Sequence, residues 1–155
     1  MFGLIMDKPK KPQFYAIKVG VNKKMFKKYI MKDIFLSHIT LLYKPDSDEI
    51  RFMNKFVGSE IAVKSKYILL KDGVCATLVF EPIINYFESS EPHLTISTDG
   101  QKPSISNAVI NQYNSVGEGQ VKCIPLEIEL KGTVCGAVYG KNGLTFVKNP
   151  EWLKT

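Results

Sequence analysis

SHITLLYK at residues 37–44 and PHLTISTD at residues 92–99 both run histidine, aliphatic, threonine, aliphatic, and together they hold both histidines of the chain. Apolar and β-branched residues alternating with polar ones make half-buried strands, in which residues two apart share a face. His38 and Thr40 therefore project one way from the first strand, and His93, Thr95 and Ser97 one way from the second. Ile39, Leu41, Leu94 and Ile96 face the core. Each strand is expected to present an imidazole beside a hydroxyl. Chance recurrence of the motif around both histidines is on the order of one in a few thousand, taking about one in a hundred for each match.

Outward from these strands the chain reads as an α+β fold with mostly antiparallel pairing. FYAIKVGV at 14–21 is a β-rich first strand, and the Lys-Pro cluster before it cannot continue a helix. A single domain is expected over 14–155, behind an exposed lead-in at 1–13. Asn22 is placed to cap an α-helix over NKKMFKKYIMKD, with Met25, Phe26, Tyr29 and Ile30 on one face and Lys23, Lys24, Lys27 and Lys28 in water. A second helix is expected over about 46–57, started by Asp46 with Glu49 at capping-box spacing. Residues 60–81 split at Asp72-Gly73 into a hairpin, and Asn142-Gly143 repeats the device. A short helix near 106–114 and a long strand over 126–138 complete the pattern.

An apolar content of 45% and an aromatic content of 11% exclude a disordered or fibrous chain. The 21 basic against 15 acidic residues suit a polyanionic ligand, but Arg51 is the sole arginine, so guanidinium clamps are scarce, which argues against a major-groove DNA reader. Cys75, Cys123 and Cys135 form no C-x-x-C pair and read as reduced core thiols. The apolar start ends at Asp7, far short of a membrane span. A soluble, cytoplasmic monomer is expected.

Cleaving a phosphodiester needs a base for the attacking oxygen, an acid for the leaving oxygen and donors for the phosphoryl charge. With a pKa near 6.5, one histidine can be neutral and its partner protonated at neutral pH. Threonine hydroxyls can donate to the non-bridging oxygens. Two histidines without cysteine or convergent carboxylates supply too few ligands for a zinc site, so neither metal nor cofactor is expected.

These motifs resemble the two-histidine (2H) phosphoesterase superfamily, defined by paired H-x-[ST] motifs on the central strands of two pseudo-symmetric lobes. HITLLYKP and PHLTISTDGQKPSISN are most similar to the cyclic phosphodiesterase domain of fungal and plant tRNA ligases. The resemblance covers about residues 15–107. It implies a bilobal α+β fold, with two antiparallel sheets in pseudo-two-fold symmetry around a central cleft. It also implies opening of a 2′,3′-cyclic phosphate, on an RNA end or a nucleotide, to a 2′-phosphate. His38 and His93 match the catalytic pair, with His93 implied as base and His38 as acid, and Thr40 and Thr95 match the phosphate-binding hydroxyls. Lys102, Ser104, Ser106 and Asn107 belong to the loop after the second motif and are weaker candidates. Tyr15 and Tyr43 are candidates for stacking a base at the cleft mouth.

Alternative substrates are 2′-5′ oligoadenylate and cyclic dinucleotides. A nucleotide- or RNA-binding module without turnover is a rival reading, against which the intact histidine and threonine pairs argue. In a third reading a ribose 2′-hydroxyl replaces water as nucleophile.

Overall fold

The computed structural model describes residues 8–83 and 91–155; the start of the expected lead-in, residues 1–7, lies outside them. In chain order the elements are β1 (Phe14–Val19), a 3₁₀ helix (Lys23–Tyr29), β2 (Asp33–Ile34), β3 (His38–Tyr43), α1 (Ser47–Asn54), β4 (Glu60–Lys71), β5 (Cys75–Phe80), β6 (His93–Thr98), α2 (Ile105–Val116), β7 (Lys122–Pro125), β8 (Glu129–Gly140), β9 (Gly143–Val147) and a closing 3₁₀ turn (Pro150–Trp152). The fold is α+β, and all strand pairs are antiparallel. Among the described residues no helix is long and apolar enough to cross a membrane.

Two sheets were expected, but the strands join in one. Their order is β7-β4-β5-β6-β3-β1-β8-β9, with β2 on β6 and a further pairing of β4 with β8. The long β4 is the reason. Ser65–Lys71 pairs with β5, whereas Glu60–Lys64 pairs with β8. The ladder β4-β5-β6-β3-β1-β8 therefore returns to β4 and closes on itself, which removes the edges those strands would otherwise expose.

One face of this ring packs the main core, in which Tyr15, Ile17, Ile39, Leu78, Leu94, Ile96 and Val134 are fully buried. The other face is partly covered by α2, whose Val109 and Ile110 pack on Leu69, Cys75 and Val79. Both hairpins form, with Gly73 and Gly143 at φ of 71° and 99°, but not as the two-residue Asp-Gly and Asn-Gly loops expected: Lys71 pairs with Cys75 across a three-residue loop, and Gly143 itself pairs with Gly140, so that Lys141 and Asn142 make the second turn. Asp46 and Glu49 form the full capping box of α1.

The predicted helix over 22–33 differs. It is a 3₁₀ segment of seven residues, interrupted at Phe26 with φ −110° and ψ 16°. The core accepts Phe26 completely but leaves Met25 50% exposed. Tyr29 gives its carbonyl to Ser97 Oγ at 2.5 Å, and the Met31 N–H bonds the same hydroxyl at 3.1 Å. These bonds turn the chain toward β2 before an α-helix can propagate.

Candidate active site

β3 and β6 meet through one registered pair among the described residues, Ile39 opposite Leu94. Counting one step along each antiparallel strand places Thr40 across from His93. The local two-fold axis of that pair exchanges His38 with His93 and Thr40 with Thr95, so both motifs are brought to one place on one face. Ile39 and Leu94 are fully buried on the other face. Ser97 departs from its expected side, because β5 and β6 slip register between Ala76 and Thr77; Ser97 is fully buried, tying the 3₁₀ segment.

His38 sits in an aromatic corner. Its ring lies 5.4 Å from Phe14 and 5.0 Å from Phe146, centroid to centroid. Period-two alternation puts Phe14, Ala16 and Lys18 on one side of β1, and Lys18 pairs with His38 in register. Lys18 Nζ donates to Ser37 Oγ at 2.9 Å and stands 4.8 Å from the Phe146 ring centre. Ser37 Oγ lies 3.1 Å from His38 Nδ1. An ammonium only donates, so the serine's own proton is free to go to Nδ1, which leaves the neutral His38 ring with its proton on Nε2.

His93 is held the opposite way. Its Nδ1 lies 2.8 Å from the Glu91 carbonyl oxygen, which only accepts, so Nδ1 carries the proton and Nε2 the lone pair. The two imidazoles thus present complementary nitrogens, one donor and one acceptor. Burial first, then the Lys18 charge, then that of His93, push His38 down to about 4. Burial also lowers His93, opposed by the Glu91 carbonyl and carboxylate. Both shifts run downward, which favours the neutral form of each ring at neutral pH, where one neutral and one protonated histidine were expected.

The two threonines differ as well. Thr40 is exposed and its hydroxyl bonds no other described residue. Thr95 donates to the Pro103 carbonyl at 3.2 Å and bonds Ser106 Oγ at 2.8 Å. Ser106 in turn lies 3.4 Å from Cys75 Sγ. A chain Cys75–Ser106–Thr95–Pro103 thus anchors the second motif to the start of α2.

Of the weaker candidates, Lys102, Ser104 and Asn107 are exposed around the α2 N-terminus. Ser106 is fully buried and holds Thr95 instead of facing a substrate. Tyr15 is also corrected. It points to the other side of β1, fully buried, and its hydroxyl donates to Asn54 Oδ1 at 2.5 Å, so it cannot stack a base. Tyr43 is 62% exposed and lies 6.2 Å from Phe14, at the end of the aromatic corner.

Sequence reasoning missed Lys18, Ser37, Phe14 and Phe146. Lys18 was findable as the only charge in FYAIKVGV. Phe146 was not, since it reaches His38 only through the β1–β8–β9 ladder. Among the described residues no three metal-ligating side chains gather. No protein-family model matches the chain, and no curated protein matches it.

Proposed function

We propose that the protein is a metal-independent phosphodiesterase of the two-histidine kind, opening a 2′,3′-cyclic phosphate on an RNA end or nucleotide to a 2′-phosphate. The observation that carries this reading is the pair of opposite tautomers set on two facing motifs. His93 Nε2 takes a proton from water, the water oxygen bonds to phosphorus, and the bond from phosphorus to the ribose 3′-oxygen breaks. His38, entering the step as the imidazolium, delivers its Nε2 proton to that departing oxygen and is left neutral, giving a 2′-phosphate and a 3′-hydroxyl. Thr40 and Thr95 donate to the non-bridging oxygens, Thr95 by exchanging its bond to Pro103 for one to the phosphate. Tyr43 offers a face to the base.

The half made of β1, β3, β8 and β9 and the half made of β4 to β7 act as the two lobes of a 2H phosphoesterase, related by the axis at Ile39 and Leu94. The enzyme works as a cytoplasmic monomer, without metal or cofactor. The test is turnover of 2′,3′-cyclic mononucleotides, cyclic-phosphate RNA, 2′-5′ oligoadenylate and cyclic dinucleotides, with and without EDTA, with products assigned by phosphorus NMR. A 2′-phosphate product in EDTA is expected from the first two. No turnover of any substrate, or a strict need for a divalent ion, overturns the reading.

A further inference from the structure

The lysines of the Lys23–Tyr29 segment are exposed, as expected, and three of them also border a groove. A groove of about 610 Å³ lies between this segment and the chain after β7. Lys24, Lys27 and Lys28 line it, and its apolar surface comes from Met25, Tyr29 and Leu126. The three lysines are exposed, and none of them forms an ion pair among the described residues. No acid is among the lining residues; of those close by in the chain, Glu127 follows Leu126 and Asp33 accepts the Gly100 N–H at 3.0 Å.

Uncompensated cations around apolar and aromatic surface are what a single nucleic-acid strand requires: point charges for its phosphates and flat or apolar surface for its unstacked bases. A concave site suits a strand better than a flat membrane surface. Lysine is a compact point charge, without the planar fork that reads base edges, so recognition here is independent of sequence. We infer that this groove binds the backbone of a single-stranded RNA, at a site built from different residues than the histidine site.

The test is fluorescence anisotropy of the full chain with a fluorescein-labelled oligouridylate of about a dozen nucleotides ending in an ordinary 3′-hydroxyl. That probe carries no cyclic phosphate, so the result stands apart from the proposed reaction. The triple variant Lys24→Gln/Lys27→Gln/Lys28→Gln should bind at least about tenfold more weakly at physiological salt, with the log-log salt slope reduced by about 2. Lys55→Gln/Lys64→Gln/Lys131→Gln removes the same charge from exposed positions elsewhere and should bind like the parent. Turnover of a cyclic mononucleotide should be equal in all three proteins. Equal loss in both triple variants would assign binding to net charge and overturn the groove. So would an absence of binding by the parent, or equal competition by a polyglutamate peptide of matched charge.

Discussion

Ile39 stands opposite Leu94 at the seam where β3 pairs with β6, and both side chains are fully buried on the core side. The residues flanking them are forced to the other side by the pleat. This one pair turns two sequence motifs far apart in the chain into one site, and it makes the site nearly symmetric in composition. The asymmetry comes from neighbours: a lysine and serine beside His38, a backbone carbonyl beside His93.

That asymmetry sets the pH dependence. The proposed reaction needs His38 protonated and His93 neutral, yet His38 is pushed down to about 4 and His93 is also lowered from about 6.5. In the free protein kcat/KM should therefore rise as pH falls from neutrality, and peak below about 6.5. A bound phosphate anion favours both imidazolium forms, so the kcat optimum should lie at higher pH than the kcat/KM optimum. Initial rates across pH 4 to 9 check this. Coincident optima above pH 7 would contradict the depressed values.

The same depression has a stability consequence with a definite sign. Between about 6.5 and about 4 the unfolded chain binds a proton at His38 that the folded chain refuses, so stability should fall as pH drops through that window. Replacing Lys18 with methionine removes a repelling charge and the donor to Ser37. It should raise the His38 pKa, reduce the acid loss of Tm and shift the imidazole nitrogen signals from the Nε2–H tautomer toward a mixture. Nitrogen NMR of labelled histidine reads both effects without any turnover. Unchanged His38 signals in Lys18→Met would break the Lys18–Ser37–His38 connection.

What the sequence made legible was whatever alternation and turn chemistry encode locally. The faces of Ile39, Leu94, His38 and His93, the capping box at Asp46 and the glycine turns follow from neighbours in the chain. Tertiary demands decided the rest. The 3₁₀ segment replaced an α-helix because Ser97 captured its last carbonyl. Tyr15 and Lys18 lie on opposite sides of β1, and only its pairing with β3 and β8 settles that the lysine, not the tyrosine, sits on the histidine side. Closure of the ring depends on β4 being long enough to pair with both β5 and β8, which periodicity does not report.

Thr40→Ala and Thr95→Ala should each slow turnover less than replacement of a histidine, because one donor among several is lost instead of a proton-transfer group. Only Thr95→Ala should also cost stability, about 1 kcal/mol, since the buried Ser106 then loses its bond to Thr95. Thermal melts of both variants decide this. Equal Tm values would mean that the Cys75–Ser106–Thr95 chain contributes nothing.

The two tyrosines proposed from sequence should separate cleanly. Tyr15→Phe should lower stability by about 1 to 3 kcal/mol by leaving buried Asn54 Oδ1 without its donor, with KM unchanged in the folded fraction. Tyr43→Ala should leave Tm unchanged and raise KM, by about 1 to 3 kcal/mol if a base stacks there. A Tyr43→Ala enzyme with parental KM would remove the base from this end of the corner.

The division of labour between the histidines is tested through the leaving group. In the proposed reaction His93, with Nε2 unprotonated by virtue of its bond to the Glu91 carbonyl, is the base that activates water, and His38, as the imidazolium, is the acid. Replacing either with alanine should cost about 100- to 10,000-fold. A substrate whose departing oxygen is more acidic, such as an aryl phosphodiester, needs little protonation at departure, so it should restore much of the rate of His38→Ala and little of that of His93→Ala. Rescue of His93→Ala instead would reverse the roles. Rescue of neither would make both rings positioning groups, and the tautomers assigned from Ser37 and Glu91 would then serve binding and not proton transfer.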